Sequence, residues 1–174
     1  MYVGHLGIAL GGKGLRRDAP LWLLVLATQA PDWAQGLACF TGTNAHAMWS
    51  HSLPAVLALA AALALTSYAV TRDRAMTGLT VAIVVSHLLV DYLTGIKPTW
   101  PGGPMVGLDL YAHPAWDFVL ETAVIVAGWW VYRRSLAPES RSSPLVRVLL
   151  VALIVTQALG VLKLAIAPPV SKCF

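Results

Sequence analysis

The stretch from Leu53 to Leu93 decides the fold: LPAVLALAAALALTSYAVT (53–71), the triplet Arg72-Asp73-Arg74, then AMTGLTVAIVVSHLLVDYL (75–93). The first run carries no charge and has about the length a helix needs to cross a hydrocarbon core of ~30 Å. The second matches it in length and carries a single acid, Asp91, near its end. Two apolar runs hinged on a charged triplet read as a pair of membrane-crossing helices.

Working outward, Ala115–Tyr132 is a third apolar run, stopped by Arg133-Arg134. A fourth runs from about Leu145 to Ala167 and ends at Pro168-Pro169. The N-terminal part is less regular. Tyr2–Gly11 is apolar but short, and the run from Ala19 meets Pro31, which removes a helix hydrogen bond. The expectation is an all-α, multi-pass membrane bundle forming one domain over 1–174, with four full spans and short or kinked N-terminal helices. The first apolar run precedes its basic cluster and no small-x-small site follows the second, so a cleaved signal peptide is not expected.

Composition agrees. Of 174 residues, 57% are hydrophobic and 11% charged, against about 25% charged in a soluble domain. The net charge of +4 is not a nucleic-acid footprint, because the bases do not form a stripe interleaved with aromatics. They punctuate the apolar runs, as membrane topology requires. If the spans alternate, Lys13, Arg16, Arg17, Arg72, Arg74, Arg133, Arg134, Arg141 and Arg147 share one side with only Asp18, Asp73 and Glu139. Nine bases and three acids give +6 there, and three bases (Lys97, Lys163, Lys172) with five acids give −2 elsewhere. The basic side is expected to be cytoplasmic in a plasma (inner) membrane. Cys39 and Cys173 lack metal or redox spacing, and Gly11-Gly12-Lys13-Gly14 lacks the phosphate-loop pattern and reads as a flexible turn. Trp100–Pro104 reads as an outer-side interfacial turn or a lid.

The remaining ionisable residues carry the functional signal. Asp32, Asp91, Asp109, Asp117 and Glu121, with His5, His46, His51, His87 and His113, all fall in the apolar runs or the outer loops. Counting helix rise from the basic clusters puts Asp32, His87, Asp91 and Asp117 at about 20–25 Å, in one layer. Intramembrane charges are costly and face a partner or a wet cavity. His87/Asp91 and His113/Asp117 are four apart, with Glu121 one turn further on, so each pair shares a helix face. Two such pairs could face each other and present ligands to one or two metals. Ser52 and Pro54 suggest a helix start, which puts His51 at its mouth and His46 in the loop before it. Imidazole and carboxylate without thiolate suit zinc, manganese or iron, zinc first.

These residues resemble the YdjM-like family of membrane-bound metal-dependent hydrolases, the LexA-regulated inner-membrane group. The matching pieces are GHLGIAL (His5), QAPDW (Asp32), HAMWSHSL (His46, His51) and SHLLVDYLTG (His87, Asp91). Ala34 and Ala47 stand where the family's motifs carry an acid and a base. The order is also similar to that of zinc-dependent phospholipase C, whose closing His-x-x-x-acid pair His113 and Asp117 would supply. The resemblance implies a divalent-metal hydrolase with one to three ions acting on an ester or phosphoester. His5, Asp32, His51, His87 and Asp91 are then the leading ligands, His46, His113 and Asp117 further ones, and Glu121 or Asp109 the general base. Depth in the membrane adds a lipid or lipid-linked substrate and a site opening to the outer side. Two other readings stay open: an ion or proton transporter using the same groups, and a structural subunit whose polar residues join helices.

Overall fold

The computed structural model describes residues 3–42 and 48–166. Helices α1 (Gly4–Leu15), α2 (Leu21–Thr41), α3 (Leu53–Thr71), α4 (Arg74–Thr94), α5 (Pro114–Ser135), the single turn α6 (Pro138–Arg141) and α7 (Pro144–Ile166) follow in order. A two-residue hairpin, β1 (Lys97–Pro98) antiparallel to β2 (Met105–Val106), lies between α4 and α5. The all-α expectation holds apart from this hairpin.

Three segments are long and apolar enough to cross a membrane: Leu53–Thr71, Arg74–Thr94 and Pro138–Lys163. That is one fewer than the four expected. Helix α5 has the length, at 22 residues, but bears Asp117, Glu121, Arg133 and Arg134. Large apolar side chains such as Leu57, Leu65, Leu89, Val151 and Leu159 point outward from α3, α4 and α7, as suits helices bathed in lipid. Exposed tryptophans mark both ends of the bundle. Trp22 and Trp130 stand at the basic end, and Trp49, Trp100 and Trp116 at the other, the positions of an aromatic belt.

The N-terminal region departs from expectation twice. Helix α2 runs through Pro31 without stopping and reaches 21 residues, packed against α1, α3 and α4. The glycines at 11–14 form no turn. They are helical, and α1 extends to Leu15. Gly4, Gly7, Gly11 and Gly14 recur at three- and four-residue intervals and line one face. A Cβ on Gly7 would sit 2.6 Å from the Val124 carbonyl oxygen, and one on Gly14 would sit 2.6 Å from the Tyr132 nitrogen. Gly128 on α5 meets the Gly7 carbonyl in return. Small residues therefore let two backbones touch, and α1 becomes an inner helix against α5, α2 and α4.

The core fills the space between α1, α2, α3 and α4, with Leu23, Leu24, Val56, Ile83 and Val84 at its centre. A smaller cluster of Leu10, Trp129 and Val146 seats α7, where Trp129 Nε1 donates to the Val146 carbonyl at 2.7 Å. At the basic end Asp73 caps α4 by accepting from the Ala75 and Met76 amides at 2.7 and 3.2 Å. It also takes a short hydrogen bond from Arg16, which pairs with Asp18 as well. This ties the α1–α2 turn to the α3–α4 turn.

Two predictions concern stability. Gly7→Ala meets backbone that cannot yield, and should cost about 1–3 kcal/mol by overpacking. Gly160→Ala on α7 meets nothing within 4 Å and should be neutral or stabilising by up to about 1 kcal/mol. Thermal melts in detergent will separate the two signs. Arg16 first, then the two amides, hold the Asp73 carboxyl below its ordinary value of 3.8. Its contribution is present above that value and lost as pH falls through the lower, folded one. The melting temperature of the wild type should therefore drop more steeply below about pH 4 than that of Asp73→Asn. Parallel acid slopes would count against the pairing.

Candidate metal centre

The end of the bundle opposite Arg16 and Asp73 collects the buried ionisable groups. His5 comes from the start of α1, Asp32 from α2, and His87 and Asp91 from the last turns of α4. His51 ends a 3₁₀ turn, Trp49–His51, that leads into α3. Ser52 holds the N-cap position of α3 and Pro54 lies in its first turn, as the sequence suggested. The Ser52 hydroxyl does not cap the helix, however. It donates back to the Trp49 carbonyl at 2.6 Å and so fixes the 3₁₀ turn that aims His51 inward.

Asp32, His51, His87 and Asp91 each bring one ligand-type atom to within 4.8 Å of all the others. His51 Nε2 lies 3.1 Å from both Asp32 Oδ1 and Asp91 Oδ2. His87 Nε2 lies 3.4 Å from Asp91 Oδ2 and 3.8 Å from Asp32 Oδ1. His51, His87 and Asp91 are buried, and the Asp32 side chain keeps 17% exposure, so access to the cluster is from the Asp32 side.

The partners of the other ring nitrogens decide which atoms carry protons, since hydrogens are inferred from partners. His87 Nδ1 stands 2.7 Å from the Thr28 carbonyl, which can only accept, so Nδ1 donates. Ser50 Oγ donates to Gln35 Oε1 at 3.0 Å, with the Gln35 amide nitrogen turned toward Cys39. The hydroxyl proton is thereby used, and Ser50 Oγ accepts from His51 Nδ1 at 3.0 Å. In the neutral form each ring would then present a lone pair at Nε2. Two imidazole nitrogens and two carboxylate oxygens meet in a buried space. His87 Nε2 and Asp32 Oδ2 have no hydrogen-bond partner among the described residues. With the rings neutral, such a set is a cluster of electron-pair donors that suits a cation among its members. It fits a divalent metal, with Thr28 and Ser50 as the outer partners that fix ring orientation.

His5 touches this group from the side. Its ring stacks on that of His87 with centroids 3.8 Å apart, and its Nε2 lies 3.4 Å from Asp91 Oδ1. Asp117 and Glu121 are buried at 1% and 2% exposure on α5. Neither belongs to the four-residue set. Glu121 Oε2 accepts the Gly4 amide at 3.2 Å and so holds the start of α1. His113 and Asp117 do not oppose His87 and Asp91 as the spacing suggested. His113 is exposed at the N-cap of α5 with φ −126° and ψ 75°; its carbonyl accepts the Asp117 amide at 3.1 Å, while Asp117 itself is buried. Asp109 lies half-exposed in the loop before a 3₁₀ turn (Leu110–Ala112), with a left-handed φ of 53°. His46 lies outside the described residues.

Sequence reasoning passed over Ser50, Gln35 and Lys97. Lys97 Nζ stands 3.4 Å from Asp91 Oδ2 with its side chain 7% exposed. A signal was available for it. Lys97 is the lone base between Arg74 and Arg133, on the side otherwise rich in acids.

Comparison with curated proteins and with solved structures finds no match for this chain. The family model described as YdjM inner membrane protein matches residues 3–164, which include His5, Asp32, His51, His87 and Asp91. The chain therefore belongs to the YdjM inner membrane protein family.

Proposed function

We propose that the protein is a membrane-embedded, metal-dependent hydrolase that cleaves an ester or phosphoester of a lipid or lipid-linked substrate. The observation that carries this reading is the buried meeting of two imidazole nitrogens and two carboxylates from Asp32, His51, His87 and Asp91. Nitrogen and oxygen donors without thiolate favour zinc, with manganese and iron as competitors. When bound, the divalent ion would lower the pKa of a water molecule and polarise the oxygen of the scissile group.

The chain's own residues supply the rest. Thr28 and Ser50 hold the two rings in register. Asp32 lies on the accessible side, and its buried Oδ2, without a hydrogen-bond partner among the described residues, would accept a proton from a water held within the centre. It is better placed for this than Glu121, which is engaged by Gly4, or Asp109, which remains in the loop. His5 packs against His87 and keeps that ring from turning.

In this reading α5 is a fourth span whose two acids face inward. The base-rich end is cytoplasmic by the positive-inside rule, and the centre opens toward the outer leaflet, where lipid headgroups are within reach.

Metal analysis of the detergent-purified protein should find a divalent ion bound to the wild type, and His87→Ala and Asp91→Ala should lose both the ion and ester hydrolysis. Metal-free wild type, or unchanged content in both variants, would sink the reading. Flux without hydrolysis in liposomes would favour transport instead. A subtler test uses Ser50→Ala, which removes the acceptor for His51 Nδ1 while leaving every proposed ligand in place. Its metal affinity should fall about 10–100-fold at near-native melting temperature.

A further inference from the structure

Lys97 is carried into the buried centre by the hairpin. Its own strand pairs with Val106, and Gly107, at φ 147°, packs its α-carbon against the Gly95 carbonyl. The Leu53 amide donates to the Thr99 carbonyl at 3.0 Å, tying the hairpin to the start of α3 beside His51. This frame fixes where the lysine stem leaves the backbone. The ammonium ends 3.4 Å from Asp91 Oδ2, the oxygen that also lies 3.1 Å from His51 Nε2 and 3.4 Å from His87 Nε2. A buried ammonium is costly unless matched by charge, and Asp91 matches it.

The charge balance changes when a metal enters. Counting the four candidate ligands and Lys97 with the rings neutral, two carboxylates and one ammonium sum to −1, and a divalent ion would bring that set to +1. Glu121 stands apart from this balance at the amino end of α1, where it accepts Gly4 N–H and faces the positive helix end. An unbalanced positive charge in an apolar bundle draws in an anion, and a lysine relieved of its carboxylate partner has three donors to offer.

We infer that Lys97 is an anion-binding residue of this centre, and that the loaded site takes a singly charged phosphodiester whose free oxygen meets the Lys97 ammonium. The inference rests on the metal-centre reading above for its charge count, and the position of Lys97 stands independently of it. A neutral ester would leave the positive charge unbalanced, and a phosphomonoester dianion would overshoot it.

The full-length protein in detergent, with and without Mn²⁺, is titrated with dimethyl phosphate and with dihexanoylphosphatidylglycerol, while Mn²⁺ affinity is followed by its paramagnetic signal. Lys97→Met should weaken binding of the diester by about tenfold or more, the loss expected for one charge-assisted hydrogen bond. Mn²⁺ affinity should be equal or tighter, because a competing cation is gone. Lys97→Arg should restore part of the diester binding, and Lys97→Gln serves if the methionine variant does not fold. Tighter binding of the lipid than of dimethyl phosphate identifies a lipid headgroup as the source, and equal binding identifies a soluble diester. Diester affinity unchanged by Lys97→Met overturns the inference and leaves Lys97 a structural counter-ion, as does loss of Mn²⁺ binding in that variant with diester binding intact. If the wild type binds no Mn²⁺ but its diester binding still depends on Lys97, the metal reading falls and the anion site stands. If it binds neither, both fall.

Discussion

The carboxylate of Asp91 is the point on which four segments close. His5 reaches it from α1, His51 from the turn before α3, His87 from one helical turn earlier on α4, and Lys97 from the hairpin after it. An ionised group in an apolar bundle must be matched where it stands. Packing alone would tolerate many small rotations of these helices, since the outer faces of α3 and α7 are largely apolar. The carboxylate does not. Each partner has to arrive within 3.1–3.4 Å, and this sets the depth of α1, the pitch of the 3₁₀ turn and the path of the hairpin together.

Asp91 can be reached from α1 only because α1 is thin. His5 is the second residue of α1. Its height is set from below, by Gly7, Gly11 and Gly14 against α5. A side chain at Gly7 would push the whole amino end outward and lift the His5 ring off His87. The glycine seam and the imidazole stack are therefore one device, with backbone contact at one end giving side-chain precision at the other.

Much of this was legible in the sequence. Charge-free runs bounded by bases located α3, α4 and α7, and helix rise put His87 and Asp91 in one layer with Asp32, because all three do lie on regular helix. His113 and Asp117 are divided by exposure: His113 is the exposed N-cap of α5, and Asp117 is buried one turn on. Pro31 misled because the lost hydrogen bond is local, whereas α2 packs against α1, α3 and α4. The glycines of α1 read as a turn because glycine is a poor helix former, and their use appears only when a second backbone is laid against them. Lys97 was invisible as a site residue because a two-residue strand leaves no periodicity to read.

The distribution of what can ionise separates the remaining readings. Between the two ends, residues 6–12 of α1, 19–31 leading through α2, 54–70 of α3, 75–86 of α4, 122–132 of α5 and 148–162 of α7 contain no Asp, Glu, His, Lys or Arg. A proton or ion relay across the bilayer needs stations through that layer, and the helices provide none. A subunit held together by polar glue needs its polar groups satisfied by one another, yet His87 Nε2 and Asp32 Oδ2 are buried without a hydrogen-bond partner among the described residues. The ionisable groups of the centre are instead gathered at one end, with Asp32 the most exposed of the four, which suits a ligand that arrives from one face of the membrane.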